Sequence, residues 1–281
     1  MSRRSRRSNR SLASVVAVAL VLPASACGSS SKTTTPSSTT TPGSSPNANP
    51  PASAKLTGSL HVFAAASLTE AFNDEKATLS TQAGGLKLTY DFAGSQALVT
   101  QIKQGAPADV FASADEKNMK KLVDAGLVEA PKVFAHNKLE IAVAPGNPKR
   151  ITGLADLENS GVVLVLDDPS VPAGNYARQA FAKAGLPAPK PASNELDVKS
   201  ALAKLTAGEA DAVIVYVSDV KAAGTKVEGV VIPDAQNVVA TYPIAAVKAS
   251  KNLVAAEAFV DEMVSGTGKQ ALRSRGFLPA S

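Results

Sequence analysis

Four places in this 281-residue chain put a neutral hydroxyl or a bare backbone turn where a helix is due to begin. They are Ser67, Ser95, the Pro172-Ala173-Gly174 turn and Asp197-Val198. The first N–H groups of a helix have no partner within it and lie at the positive end of its dipole, so such turns suit an anion. A serine hydroxyl there adds one more donor. Each turn also has a purely local reading. Ser67-Leu68-Thr69-Glu70 has the form of a capping box, and serine is favoured before a helix for capping alone.

Other chemistry is sparse. The two histidines, His61 in a strand pattern and His136 in a predicted loop, have no cysteine or histidine at zinc-ligand spacing. There is no Gly-x-Ser-x-Gly elbow, and neither Ser67 nor Ser95 has a histidine near it in sequence to act as a base. The run SGTGKQ at 265–270 fails as a phosphate loop, because Met263 stands where its first glycine belongs and Gln270 follows Lys269.

The positions of these turns require an alternating scaffold, and the chain supplies one after a different kind of beginning. Residues 1–10 hold five arginines and no acid, and an apolar run from Leu12 to Leu22 ends in Ala24-Ser25-Ala26. That order is a secretory signal peptide over residues 1–26, with an apolar stretch shorter than the ~20 residues of a permanent span. A twin-arginine route is disfavoured, since Ser-Asn-Arg-Ser rather than an apolar pair follows the arginines. The formal charge of +5 resides in this segment; the rest has 24 basic residues (29 less five) against 24 acidic ones. A near-neutral remainder argues against nucleic acid as a partner.

Cys27 is the only cysteine, so no intramolecular disulfide is possible. A cysteine directly after small residues resembles the bacterial lipobox, with Ala24 where leucine is usual, and predicts a lipidated mature N-terminus and a membrane anchor on the extracytoplasmic face. Ordinary cleavage leaving a free thiol is the alternative. Residues 28–55 are Ser, Thr, Pro and Gly with little to bury, as in a disordered tether.

From Leu60 onward apolar runs predict strands at 60–65, 86–92, 109–113, 139–145, 162–166, 211–216 and 238–247. Several are apolar on both faces, which predicts buried parallel strands. Helical patterns follow Ser67, Ser95 (closed by Gly105), Pro172 (closed by Gly185) and Asp197 (closed by Gly208), with two more at 253–264 and 269–277. Glu75 occupies a position that the first helix should keep apolar. The pattern is α/β, with two similar halves rather than a single barrel.

At these turns the sequence resembles the periplasmic molybdate-binding proteins of ABC importers, the ModA family. The matching stretches are VFAAASLTEAF (62–72), DFAGSQALVTQIKQGAPADVFASAD (91–115), DDPSVPAGNYARQAF (167–181), LDVKSALAKLTAGEADAVIVYVSD (196–219) and TYPIAAV (241–247). The resemblance implies a type II periplasmic-binding-protein fold: two α/β lobes, a ligand cleft between them and two hinge crossings. The crossings would lie near residues 137–142 and 242–247, giving lobe 1 as 56–138 with 246–281 returning to it, and lobe 2 as 139–245. It also implies an oxyanion site made by the hydroxyls and amides of Ser67 and Ser95, the amides of Ala173 and Val198, and the hydroxyl of Tyr216. The departures, Glu75 and the serine-poor Gly94-Ser95-Gln96, remove none of these donors.

A fully deprotonated tetrahedral dianion accepts hydrogen bonds and donates none, so amides and hydroxyls can satisfy it without a cation. At about 1.5–3 kcal/mol for each bond to a charged group, five to seven bonds supply the roughly 8–12 kcal/mol of micromolar to nanomolar binding after ordering costs. Monohydrogen phosphate would leave its O–H without a good acceptor. The expected ligands are molybdate and tungstate and the expected partner is an ABC permease. The receptor is expected to be a monomer with no cofactor and no turnover. The alternatives are a receptor for another oxyanion such as sulfate, an exported hydrolase using Ser67 or Ser95 as nucleophile, and a surface lipoprotein that keeps the fold without transport.

Overall fold

A computed structural model describes residues 56–82, 84–187 and 189–280 of the chain. The expected signal peptide, Cys27 and the tether lie outside the described residues. Nine strands and eight helices alternate through most of what is described. They are β1 (Gly58–Ala65), α1 (Thr69–Gln82), β2 (Leu86–Ala93), α2 (Ser95–Lys103), β3 (Val110–Ala112), α3 (Glu116–Asp124), β4 (Lys132–Val143), β5 (Leu164–Asp167), α4 (Pro172–Lys183), β6 (Ser193–Glu195), α5 (Val198–Thr206), β7 (Ala212–Tyr216), α6 (Val217–Ala223), β8 (Glu228–Val231), β9 (Val239–Ala246), α7 (Leu253–Ser265) and α8 (Thr267–Ser274).

The strands run in the order β2-β1-β3-β9-β4-β7-β5-β6, with β8 also on β4. In the first lobe β1 is parallel to β2 and β3, while β9 enters antiparallel between β3 and the first half of β4. In the second, β5 is parallel to β6 and β7, and the other half of β4 is antiparallel to β7 and β8. The expectation of buried parallel strands therefore holds for β1, β3 and β5, which have parallel partners, and fails for β4 and β9, which are antiparallel to every neighbour they have.

Alternation along β1 sorts its side chains onto two cores, as a pleated strand must. Leu60, Val62 and Ala64 pack with α1, α7 and α8 residues such as Phe72, Phe259 and Leu272. Phe63 faces the other way, onto Leu98 and Ile102 of α2 and Met119 and Leu122 of α3. Burying each of the larger of these side chains is worth about 1.5–3 kcal/mol. Glu75, out of place in the apolar stripe of α1, is fully buried and accepts a bond of 2.7 Å from Thr267 Oγ1, which ties α1 to α8.

The two lobes share β4. Its partner changes from β9, up to Lys138, to β7 from Leu139. The second crossing falls earlier than expected. Residues 239–245, assigned to lobe 2 from the sequence, pair with β3 and the lobe 1 half of β4, so the chain has already returned by Val239. Asn237 fixes that return. Its Nδ2 donates to Leu139 O at 2.8 Å, and its Oδ1 accepts from Leu139 N at 3.1 Å and Val238 N at 2.8 Å.

Candidate functional site

The turns that follow β1, β2, β5 and β6, and the last residue of β7, line the cleft. Ser67, Ser95, Ala173, Val198 and Tyr216 all line one small cavity there, together with Gly94 and Asp197. The space allows the centre of a water-sized sphere about 10 Å³, room for one compact group. No lysine, arginine or histidine is among its lining residues.

Each donor is positioned by its own element. After β1 the chain makes a 3-10 turn at Ala66–Leu68 before α1 starts at Thr69. The capping box expected at Ser67 is not formed: no side chain caps this turn, and Glu70 turns away to Lys199. Ser67 Oγ instead meets Tyr242 Oη at 2.9 Å, with both residues buried. When Tyr242 donates, the proton of Ser67 is left for the cavity. Ser95 is the first residue of α2, after Gly94. Its Oγ accepts the N–H of Ala114 at 3.0 Å, and so its own proton is likewise available.

The other wall belongs to lobe 2. Pro172 opens α4, where its missing N–H costs nothing, and Ala173 follows with an N–H that has no intrahelical acceptor. Gly174 allows this turn to sit on β5, since a Cβ there would lie 2.2 Å from Asp168 O and 2.3 Å from Asp167 O. At α5, Asp197 accepts from Lys199 N and Ser200 N at 2.9 and 3.0 Å, which leaves the amide of Val198 to the cavity. Tyr216 closes β7, 1% exposed, and its hydroxyl has no hydrogen-bond partner within the protein. Burial holds its pKa well above the ordinary phenol range, so it stays a donor.

Behind this wall lie two buried acids. Asp219 accepts from Tyr216 N at 3.2 Å and faces Lys199 Nζ at 3.3 Å; burial, partly offset by Lys199, raises its pKa to about 6. Asp167 is fully buried, with neither carboxyl oxygen hydrogen-bonded. Burial, then the charges of Asp197, Asp219 and Glu195, push its pKa well above the usual carboxylate range.

The arrangement offers no catalytic machinery. The hydroxyl partners of the two serines are a tyrosine and a backbone amide, not a base. His61 pairs with Asp91 at 3.1 Å and His136 joins its backbone to Leu278, both outside the cavity lining. Among the described residues no group of three or more His, Cys, Asp or Glu could hold a metal. The five residues named from the sequence are among the thirteen that line this cavity; Tyr242, Asp167 and Asp219 were not named. Tyr242 lay inside a quoted stretch, yet only folding brings it to Ser67, 175 residues away.

Two α/β lobes sharing β4, with helix N-termini converging on a small cleft that no basic residue lines, define a two-lobed solute-binding protein. The chain belongs to the family of bacterial extracellular solute-binding proteins, whose model it matches over residues 60–278, and is a binding protein rather than an enzyme. The molybdate-binding protein ModA of Mycobacterium tuberculosis (strain ATCC 25618 / H37Rv) is 40% identical over 94% of this chain and 95% of its own. Among solved structures, the periplasmic molybdate-binding protein of Azotobacter vinelandii superposes with a TM-score of 0.69 at 20% identity, covering 79% of this chain and all of that one (100%). The sulfate-binding protein SubI of M. tuberculosis H37Rv does so at 0.68 and 21%, covering 79% and 87%. These two likenesses show the fold alone. No helix among the described residues is long and apolar enough to cross a membrane.

Proposed function

We propose that this chain captures molybdate, and tungstate with it, outside the cytoplasm and delivers it to the permease of an ABC importer. The observation that carries the reading is the buried Tyr216 hydroxyl, unpartnered by protein and lining a cavity that also takes in Ser67, Ser95 and the helix starts at Ala173 and Val198, with no basic residue among its lining. A buried polar group without a partner costs ~1–3 kcal/mol, which an anion accepting its proton recovers. Ser67, Ser95 and Tyr216 would donate hydroxyls, and Ala173 and Val198 would donate amides, with the Ser67 and Ser95 amides beside them. A dianion needs no buried cation in such a cage, because the helix dipoles oppose its charge.

Binding across the cleft favours the closed arrangement, which is the state a permease would read. A lipid on Cys27, the tether of residues 28–55 and a monomeric body fit that role: a receptor held near its permease without blocking the cleft. The order of basic, apolar and small residues before Cys27 supports this anchoring.

Sulfate is the second reading, favoured by its equal charge and shape and by the shared fold of a sulfate-binding protein. Calorimetric titration of the purified protein with molybdate, tungstate, sulfate and phosphate in turn decides between them. Tight binding of the first two with sulfate far weaker supports the proposal. A preference for sulfate, or no binding of molybdate, overturns it.

A further inference from the structure

Resting on that reading of the cleft, we propose that Gly94 and the Glu70–Lys199 pair set the closed state of the receptor through contacts between its lobes rather than as donors to the ligand. The segment Leu196–Lys199 of lobe 2, which carries the Val198 amide, is gripped by lobe 1 at both of its ends. At one end Gln96 Nε2, on α2, donates to Leu196 O at 3.0 Å. At the other Lys199 Nζ meets both carboxylate oxygens of Glu70, on α1, at 3.0 and 2.8 Å.

Gly94 lies under the first of these contacts. A Cβ built on it would stand 2.4 Å from Leu196 O, a backbone atom of the opposite lobe. The Gln96 side chain, at 2.5 Å from the same Cβ, is a flexible end that can swing aside. The carbonyl cannot, unless α5 or the whole lobe retreats. The usual reason for a glycine is absent here: φ −59° and ψ 137° are extended angles that any residue adopts. The missing side chain is therefore required by the other lobe, and only when the cleft is shut. An alanine at 94 fits the open protein and obstructs the closed one.

The Glu70–Lys199 pair acts in the opposite sense, drawing the lobes together. Lys199 is also held from its own lobe by Asp219, so removing Glu70 leaves it paired and deletes only the contact across the cleft. Both partners are about a third exposed, with 30% and 31% of side-chain surface accessible. Partial exposure limits the effect to about two- to fivefold in affinity and makes it sensitive to salt.

The test is molybdate titration of the wild type, Gly94→Ala, Glu70→Gln and the control Gly84→Ala, whose Cβ would meet nothing within 4 Å. Small-angle scattering with and without molybdate accompanies it. Gly94→Ala is expected to melt like the wild type without ligand, to bind more than tenfold more weakly and to compact less on adding molybdate. Glu70→Gln is expected to weaken binding by about two- to fivefold at low salt, with the difference disappearing near 1 M salt. Gly84→Ala is expected to match the wild type. Normal affinity and normal compaction in Gly94→Ala overturn the inference while leaving the ligand assignment intact. Failure of the wild type to bind molybdate overturns the ligand assignment, and this inference with it.

Discussion

Replacing Tyr216 by phenylalanine separates ligand contact from packing more cleanly than any other change at this site. The substitution removes one oxygen from a side chain that is 1% exposed and whose hydroxyl makes no hydrogen bond to protein. The ring keeps its edge-on contact with Tyr242, at 5.7 Å between centroids. Losing a bond to a charged acceptor costs about 1.5–3 kcal/mol, so anion affinity should fall about 10- to 150-fold. Without ligand the variant sacrifices no internal bond, and its unfolding midpoint should stay level or rise. With saturating molybdate the difference emerges through mass action: the variant forfeits about 1.4–3 kcal/mol of ligand-induced stabilisation, roughly 3–12 °C of midpoint shift. Titration calorimetry and paired thermal melts measure both quantities. Binding within twofold of wild type would show that the hydroxyl does not meet the anion, and the reasoning from its isolation would be wrong.

Three further changes probe the surroundings. Ser67→Ala should lower both affinity and stability, the latter by about 1–3 kcal/mol, because Tyr242 is left buried without its bond; unchanged melting refutes that pairing. Asp167→Asn should leave the midpoint near pH 4 unaltered and raise it near pH 8. The folded-state pKa is raised, so the proton is retained where the unfolded chain has lost it, and the group's contribution to stability is present at low pH and lost as pH rises. Parallel wild-type and variant pH profiles would contradict this. Gly174→Ala should destabilise by about 1–3 kcal/mol or more, measured by denaturant titration, since its Cβ would press on two backbone carbonyls.

Strong apolar runs and clear punctuation were readable in the sequence. Helices α2, α4 and α5 begin at the predicted turns, and all five site positions meet in one cavity. Elements with weak local signals were not. The first half of β4, KVFAHN, and the short polar strand β6 derive their order from neighbours rather than from their own pattern. Helix α3 buries only Asn118, Met119 and Leu122 of its nine residues and is capped by Asp115. Helix α6 follows β7 without a break, with Asp219 accepting from Tyr216 at the join. The capping box at Ser67 was a reasonable local inference that a distant tyrosine overrode. The orphaned carboxyl of Asp167 and the required bareness of Gly94 depend on atoms far away in sequence, which no local rule can reach.

The insertion of β9 between β3 and the first half of β4 has a consequence for how the chain comes into being. Lobe 2 is a single stretch ending near Asn237, complete as soon as that residue has emerged during N-to-C synthesis or export. Lobe 1 must wait for almost the end of the chain, and until β9 arrives β3 and β4 expose unpaired edges of the kind that recruit other strands. Pairings that distant in sequence also form slowly. A molecule halted or clipped before Val239 would thus carry a finished second lobe beside an adhesive, half-built first one. Pairing of β9 is what closes those edges and completes the first lobe.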